Sequence, residues 1–210
     1  MSSAVSKSPR LADSGEPVWD IARLFPNQGA WSEEAYLALS TNNLVEYSHG
    51  FIEVLPMPTT SHQDILIFLF EALKAFVLPG KLGKASIAGI RIRLWPGNYR
   101  EPDIVFMLRE NLARIGEQFW EGADLVMEIV SGSDDDRRRD LVTKRSEYAQ
   151  AGIPEYWIVD PREGRITVLH LDRDNYALHG EFPKGTRATS VLLSGFSVAV
   201  TEALAAGNEA

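Results

Sequence analysis

The sequence predicts an α/β domain built around a mixed β-sheet. Segments with a helical pattern and segments with a strand pattern are mixed along the 210 residues, and the chain contains no internal repeat. The stretch ADLVMEIV is an almost continuous apolar run, which is typical of a central strand covered on both faces. Since 45% of the residues are hydrophobic, the chain can bury a substantial core.

The N-terminal part of the domain is predicted to contain a helix, a hairpin and a second helix. The stretch WSEEAYLAL predicts a short helix capped by Ser32. The stretch NLVEYSHGFIEVLP predicts two strands that turn at His49-Gly50. A long, largely buried helix follows, with Ser61 as its predicted N-cap and its end just before Pro79.

Strands dominate the rest of the prediction. ASIAGIRIRLW alternates apolar residues with Arg91 and Arg93, which predicts one half-exposed strand, and EPDIVFM predicts a short strand beginning at Pro102-Asp103. A surface connection then leads to the central strand. The stretch DDDRRRDLVTKRSEYAQAG predicts a helix that stops at Gly152. EYWIVD, RITVLHL and NYALHGEF predict three further strands of one sheet.

Composition bounds the organisation of the chain and excludes several classes of protein. We expect a disordered tail over residues 1–17, a single domain over residues 18–200 and a C-terminal tail over residues 201–210. The lack of cysteine excludes disulfides, thiolate metal sites and a cysteine nucleophile. The sequence shows neither a secretory signal nor an apolar run of the roughly 18 residues that span a membrane, so we expect a cytoplasmic protein.

The charge is unevenly distributed. The net charge is -8, which argues against a nucleic-acid partner because phosphate groups attract basic surfaces. Residues 81–150 nevertheless contain 12 Lys or Arg and 12 Asp or Glu, so the acidity lies in the flanking segments. This balance weakens the objection without removing it.

Glu128 is the most unusual residue of the predicted central strand. Because strand side chains alternate, it shares a face with Val126 and Val130. A buried carboxylate needs a cation, a basic partner or water, since leaving it unpaired is costly. The simpler interpretation is that Glu128 lies at the end of the strand and is solvated.

The helix after this strand offers a basic partner. At about 100° per residue, Leu141, Lys144 and Tyr148 fall within about 60° of one another, which places Lys144 on the core-facing side. Two alternatives stay open: Arg145 lies on the other side of the same face, and Lys144 could pack its stem while its ammonium group reaches water. Ser133 and the three aspartates after it are predicted to cap this helix.

Asp103 begins its own strand, where it is either a turn residue or a ligand. If the strands of Asp103 and Glu128 are adjacent, their carboxylates can converge on one hard cation, and such oxygen ligands suit Mg²⁺ or Mn²⁺. A lysine beside that cation would stabilise developing negative charge or orient a water molecule. These residue types fit metal-dependent phosphodiester hydrolysis, although their spacing alone does not establish it.

Four stretches, in this order, resemble the Uma-two family of proposed restriction endonucleases: PDIVFM, LVMEIVSGS, RRRDLVTKRSEYAQAG and IPEYWIVDP. That family belongs to the PD-(D/E)XK nuclease superfamily. The resemblance extends over most of the chain from Trp31 to about Phe196. It implies a restriction-endonuclease-like core, in which a mixed sheet is flanked by helices, with an N-terminal helix and hairpin.

The resemblance also implies a set of site residues. Asp103 matches the aspartate of the PD motif, Glu128 matches the second metal ligand, and Glu46 matches a hairpin glutamate that adds a third carboxylate to the metal site. The superfamily carries its lysine two residues after the acid, where this chain has Val130. In this family the lysine lies in the following helix, and Lys144 matches it.

Two further positions match the family without a settled role. His62 matches a histidine just before the long helix, and it is either catalytic or a capping or hydrogen-bonding residue. Asp140 either pairs with a nearby arginine or supports the site from behind the metal ligands. Tyr156 and Trp157 fit a core strand better than a platform for stacking bases.

The leading hypothesis is a Mg²⁺-dependent endonuclease, with Mn²⁺ as an alternative ion, that hydrolyses phosphodiester bonds in DNA. Four arginines are the candidate DNA contacts: Arg91, Arg93, Arg138 and Arg139. A second hypothesis is a catalytically silent nuclease fold kept as a dimeric interaction module, and a third is a metal-dependent hydrolase of a small phosphorylated substrate. By analogy with small nuclease folds we expect a homodimer that does not bind membranes.

Overall fold

The computed structural model describes residues 25–130 and 137–207. Its α-helices are α1 (Glu33–Leu37), α2 (Thr60–Val77), α3 (Arg145–Gln150) and α4 (Val200–Ala206). A 3₁₀ segment spans Arg109–Arg114, and a π-helical segment, Arg139–Lys144, leads directly into α3. The strands are β1 (Val45–Ser48), β2 (Phe51–Val54), β3 (Gly83–Ile87), β4 (Ile92–Trp95), β5 (Asn98–Arg100), β6 (Ile104–Leu108), β7 (Trp120–Glu121), β8 (Leu125–Ile129), β9 (Glu155–Asp160), β10 (Arg165–Asp172), β11 (Asn175–Pro183), β12 (Arg187–Thr189) and β13 (Ser197–Ala199).

The central sheet has six strands in the order β11-β10-β9-β8-β6-β3. Strands β8 and β9 are parallel, whereas the other neighbours pair antiparallel, so the predicted mixed sheet is confirmed. All five residues of β8 are buried, as the apolar run ADLVMEIV predicted. Strands β9, β10 and β11 are the three predicted neighbours.

A second sheet lies beside the first and carries the N-terminal hairpin. Its order is β2-β1-β5-β4-β7, with only β4 and β7 parallel among its pairs, while β12 and β13 form a separate two-stranded ribbon. The hairpin turns at His49 and Gly50, as predicted, and both residues have positive φ angles of 45° and 90°. Ser32 caps α1, as predicted, because its side chain accepts a hydrogen bond from the backbone N–H of Ala35.

Side chains alternate between the two faces of the six-stranded sheet, and each face carries its own apolar core. Met127 and Trp157 lie on the face covered by α2 and α4. Val126, Val130 and Tyr156 lie on the opposite face, together with Tyr148 of α3. Glu128 therefore faces α3, and the core interpretation of Tyr156 and Trp157 is confirmed by their complete burial.

Two local predictions were wrong. ASIAGIRIRLW is not one strand, because it divides at Gly89 into β3 and β4, which belong to different sheets. Gly89 has a φ of 93°, which is not a strand conformation. The strand therefore stops before Gly89, although the alternation of apolar and polar residues continues in the sequence. The N-cap of α2 is Thr59 rather than Ser61, since the Thr59 side chain accepts a hydrogen bond from the backbone N–H of His62.

The predicted tails and the predicted cap of the helix after β8 lie partly or wholly outside the described residues. Residues 1–17, Ser133 and the aspartates that follow it are not described. Within the expected C-terminal tail, α4 packs into the core through Ala203 and Leu204, so the packed part of the chain extends to Ala206. None of the helices in residues 25–130 and 137–207 combines the length and apolar character that crossing a membrane requires.

Candidate active site

The site begins with two carboxylates on neighbouring strands. Strands β6 and β8 pair with Ile104 opposite Met127, and this register continued by one residue places Asp103 opposite Glu128. Asp103 and Glu128 are 9% and 3% exposed, so both lie inside the protein. The Oδ2 atom of Asp103 accepts a hydrogen bond of 2.7 Å from the backbone N–H of Ile129, which holds Asp103 at the end of β8.

Lys144 projects from the π-helical segment into this group of acids. Its Nζ donates a hydrogen bond of 2.9 Å to Oε1 of Glu128 and lies 3.2 Å from Oε1 of Glu46 and 3.6 Å from Oδ1 of Asp140. The side chain is 2% exposed, so its ammonium group does not reach bulk water. The interpretation that Lys144 packs only its stem is therefore wrong. Lys144, and not Arg145, contacts the buried carboxylates.

Glu46 comes from β1 and joins the second sheet to the site. Its carboxylate is buried, accepts a hydrogen bond of 3.3 Å from the backbone N–H of Glu101, and lies 3.6 Å from Nε of Arg100. Burial alone would raise the pKa of Glu46, but the charges of Lys144, Arg100 and Arg139 outweigh it, so the pKa lies below its ordinary value. Glu46 is thus held in its charged form by surrounding cations.

His62 lies on the first turn of α2 and reaches Asp103. Its Nε2 is 3.2 Å from Oδ2 of Asp103. Burial would lower the pKa of His62, but the hydrogen bond and the charge of Asp103 raise it overall. Because Thr59 caps the helix, the imidazole is free of a capping role, and its observed contact is with the candidate metal ligand.

The acids in the site outnumber the lysine, and this shifts their protonation. Burial raises the pKa of Glu128 to about 8, against the opposing charge of Lys144 and with the support of Asp103 and Asp140. Burial likewise raises the pKa of Asp140 to about 6. The pKa of Lys144 moves upward because Glu128, Glu46 and Asp140 together outweigh the effect of its burial. Lys144 is therefore charged, and the surplus of carboxylates retains a proton near neutral pH.

One residue of the site was not singled out from the sequence. The hydroxyl of Tyr148 donates a hydrogen bond of 2.6 Å to Oε1 of Glu128, the same oxygen that accepts from Lys144. Tyr148 is completely buried, on the face that packs against the sheet. Its position four residues after Lys144 on the predicted core-facing side was the available signal.

Replacing Tyr148 by phenylalanine is expected to destabilise the fold by about 1–3 kcal/mol, because a buried carboxylate loses a donor. Urea denaturation measures this change. Tyr176→Phe is the matched control, since the Tyr176 hydroxyl donates to the carbonyl oxygen of Ile153, away from the site. We expect Tyr148→Phe alone to alter Mg²⁺ binding; equal effects of both variants on Mg²⁺ binding would contradict a positioning role.

The predicted DNA-contacting arginines divide into engaged and exposed groups. Arg91 donates to Oε1 of Glu101 at 3.3 Å and to two backbone carbonyls. Arg93 forms a two-bond pair with Glu121. These two side chains are therefore used to join parts of the protein.

Arg139 lies beside the site, whereas its neighbour in sequence, Arg138, has no contact with the site residues that the structure describes. Arg139 donates to Oε1 of Glu53 at 3.0 Å, lies 3.7 Å from Asp140 and lines the small cavity beside Glu128 and Asp103. Arg138 is exposed and forms no ion pair with the residues that the structure describes. Of the four, Arg138 is the one whose charge is directed to solvent.

The donor atoms of the site fit a cation held by two carboxylates. Oδ1 of Asp103 and Oε2 of Glu128 accept no hydrogen bond from the described residues, which leaves one oxygen of each for a ligand. In residues 25–130 and 137–207, no three His, Asp or Glu side chains converge closely enough to hold a metal. The geometry therefore differs from the expected three-carboxylate site, because Lys144 bridges Glu46 to Glu128.

Comparison with known protein families identifies the chain. A sequence model of the Uma2 family, described as "Putative restriction endonuclease", matches residues 33–201. The chain belongs to the Uma2 family. The match confirms the resemblance predicted from the four sequence stretches, and it contains every candidate site residue of this Uma2 protein.

The fold of this Uma2 protein also occurs in a solved structure. The crystal structure of a "putative nuclease belonging to DUF820" from Anabaena variabilis ATCC 29413 aligns with a TM-score of 0.67 over 83% of this chain and 97% of that chain. The two sequences are 19% identical, so this likeness establishes the fold. Together with the mixed sheet, it confirms the predicted fold class. No curated protein matches the chain.

Proposed function

We propose that this Uma2 protein is a metal-dependent endonuclease that hydrolyses phosphodiester bonds, with DNA as its substrate. The observation that carries the proposal is the placement of Glu128 opposite Asp103 with Lys144 buried against it. Burying a lysine and carboxylates costs free energy of desolvation, so such a group is explained better by a function than by a gain in stability. Membership of a family described as restriction endonucleases supports phosphodiester hydrolysis as that purpose.

In this proposal Asp103 and Glu128 each offer one oxygen to the cation, and substrate and water oxygens complete its coordination. When bound, the cation supplies Lewis-acid activation of the phosphoryl group and of water. Lys144 places a positive charge beside Glu128, where it can orient the attacking water or stabilise charge on the phosphate. The metal ion proposed is Mg²⁺ or Mn²⁺.

Four other side chains fix these groups in place. Glu46 and Asp140 hold the ammonium group of Lys144 from two further sides, and Tyr148 fixes the carboxylate of Glu128. This assigns Glu46 to the lysine rather than to the metal. His62 fixes the carboxylate of Asp103 through Nε2. Such supporting contacts set the orientation of metal ligands.

The proposal is tested by a cleavage screen with purified protein. Single-stranded DNA, duplex DNA and RNA are incubated with Mg²⁺, with Mn²⁺ and with EDTA, alongside Glu128→Gln protein from the same preparation. We expect the native protein to cleave nucleic acid only when Mg²⁺ or Mn²⁺ is present. Cleavage that persists in EDTA, or that Glu128→Gln retains in full, would overturn the assignment.

Binding of Mg²⁺ is expected to release a proton. Because burial raises the pKa of Glu128 to about 8, this group is protonated in most molecules at neutral pH and must lose its proton to bind a cation. The apparent affinity for Mg²⁺ should therefore increase between about pH 6.5 and pH 9. Calorimetric titrations at pH 7 in buffers of different ionisation enthalpy count the protons released, and a count near zero would contradict the expected linkage.

Reversing the charge of Arg138 is expected to weaken DNA binding. Arg138→Glu should lower the affinity and reduce the slope of log K against log salt concentration by about one, as for the loss of one phosphate contact. Arg173→Glu is the control, because Arg173 lies in the β10–β11 turn at the opposite end of the sheet. Equal salt slopes for both variants in an anisotropy titration would exclude Arg138 as a contact.

One observation favours a second candidate, the hydrolase of a small phosphorylated substrate, over a nuclease that acts on a long nucleic acid. Arg91, Arg93 and Arg139 each bind a carboxylate, which leaves little of the predicted basic surface for a long polyanion. Hydrolysis of a small phosphate diester without cleavage of any nucleic acid would favour this candidate. The homodimer, the cytoplasmic location and the choice of metal ion stay predictions from the sequence.

A further inference from the structure

A second cavity, of about 470 Å³, adjoins the small carboxylate cavity of about 50 Å³. His62 and Ile129 line both cavities, so the larger one opens beside Asp103 and the end of β8. Its volume falls in the range of about 300–1,000 Å³ that is usual for small-molecule sites. None of the roles assigned above uses this space.

One wall of the larger cavity is apolar. It is formed by Met57 and Pro58 from the segment before α2, by Ile65 of α2 and by Leu204 of α4. Met57 is 74% exposed, an unusual position for a large apolar side chain at the mouth of a cavity. A flat apolar group such as a nucleobase is a ligand that such a wall would accept.

The rest of the lining favours an anion. Lys184 and Arg162 approach from the turns after β11 and β9, and both line the cavity. Thr59, Ser61 and His62 also line it, which places it at the N-terminal end of the 18-residue helix α2, where the helix dipole favours negative charge. An apolar wall next to a cationic one matches the two parts of a nucleotide.

The carboxylates themselves are recessed. Glu128 and Lys144 are 3% and 2% exposed, and the cavity that they help to line is small. A phosphodiester inside a regular duplex is held away from such a recess by its paired neighbours, whereas an unpaired strand can enter it. The engagement of Arg91 and Arg93 with acids also removes surface that a duplex would need.

We propose that the cavity between Met57, Leu204 and Lys184 binds one unpaired nucleotide. Its base lies against the apolar wall and its phosphate lies beside Lys184, so that the neighbouring phosphodiester enters the carboxylate site. The preferred substrate of the proposed nuclease is then a single-stranded or locally unpaired nucleic acid. This inference rests on the proposed function for the meaning of the bound strand, but the cavity and its ligand are tested separately.

The test is a binding titration without metal, in EDTA and at one ionic strength. The probes are a fluorescein-labelled single-stranded DNA of eight to ten nucleotides, the blunt duplex of the same sequence, and unlabelled deoxynucleoside monophosphate as competitor. We expect the single strand to bind at least about tenfold more tightly than the duplex, because extruding a base from a duplex costs stacking and pairing. Lys184→Glu should weaken single-strand binding about tenfold or more, since one phosphate contact becomes a repulsion.

Two matched variants control for charge and for lost apolar area. Lys81→Glu makes the same charge change beyond the far end of α2, about 27 Å along the helix, and should bind within about twofold of the native protein. Met57→Ala should weaken binding, whereas Leu78→Ala, which removes an exposed side chain at that far end, should not. Each substituted side chain is exposed, so the fold should stay intact, and the melting temperature of each variant checks this.

Every outcome of the titration decides the inference. Tight single-strand binding that Lys184→Glu loses supports an unpaired strand as the occupant. Monophosphate that binds as tightly as the strand and is lost in Lys184→Glu supports the same nucleotide site with a free nucleotide as its ligand. Duplex binding equal to single-strand binding, or unchanged affinity in Lys184→Glu and Met57→Ala, overturns it. Metal-dependent cleavage with a preference for duplex would leave the proposed function standing while the inference fails.

Discussion

Replacing Lys144 by methionine is expected to destabilise the protein by about 3–5 kcal/mol at pH 8 to 9, because buried carboxylates lose the cation between them. Methionine keeps most of the side-chain volume, so the loss is one of charge rather than of packing. Glu46 and Glu128 would face each other, with Asp140 beside them, and no ammonium group between them. Urea denaturation followed by circular dichroism measures the free energy of unfolding.

The effect of Lys144→Met is also expected to depend on pH. The pKa values of Glu128 and Asp140 are raised to about 8 and about 6, so both groups can take up protons as the pH falls. Groups with raised pKa values stabilise the fold below those values and lose that contribution as the pH rises through them. The destabilisation should therefore shrink at about pH 5 and grow towards pH 9.

Lys81→Met is the control for the lysine substitution. Lys81 is exposed in the turn after α2, so the free energy of unfolding should change by no more than about 0.5 kcal/mol. If Lys144→Met were as stable as Lys81→Met at pH 9, the ammonium group would not be the counter-charge that the fold requires.

Replacing Glu128 by glutamine is expected to reduce hydrolysis at least about a hundredfold, because the variant loses a ligand oxygen with full negative charge. The same change should leave the fold nearly as stable as the native protein. Burial already raises the pKa of Glu128 to about 8, so the folded state favours the neutral form that glutamine mimics. Between about pH 4.5 and about pH 8 the native protein should lose stability as the pH rises, because folded Glu128 keeps a proton that the unfolded chain releases, and the variant should not show this loss.

The combination of lost activity and retained stability identifies Glu128 as a functional residue, since a carboxylate kept for stability would show the reverse. Residues kept for function commonly lower the stability of the folded protein in this way. Initial rates on a labelled single strand and melting curves from the same preparation provide both quantities. Glu121→Gln is the control, because Glu121 binds Arg93 at the edge of the second sheet and should affect neither rate nor metal binding.

The parts of the site that the sequence predicted depend on local periodicity. Glu128 interrupted an apolar strand, and Lys144 lay on the buried side of the next helix, so the local pattern offered Lys144 as a partner of Glu128, with Arg145 as an alternative. The structure places their atoms 2.9 Å apart. The central position of β8 followed from the same kind of signal, an unbroken apolar run.

The parts that the sequence did not predict depend on long-range pairing. Arg91 and Arg93 alternate with apolar residues as solvent-facing residues do, yet each meets an acid supplied by another strand or loop. The break between β3 and β4 at Gly89 was not predicted, because a glycine can occupy an apolar or a polar position of an alternating strand pattern. Glu46 could be matched to the family, but its contact with Lys144 requires the two sheets to be placed against each other.

The most direct test of the carboxylate site is calorimetric titration of Mg²⁺ into the native protein, Asp103→Asn, Glu128→Gln and the control Glu121→Gln. We expect saturable binding by the native protein and by Glu121→Gln, and loss of binding in both site variants. Absence of binding to the native protein, or binding of equal affinity in Asp103→Asn and Glu128→Gln, would contradict the claim that the carboxylates opposite each other on β6 and β8 hold the metal.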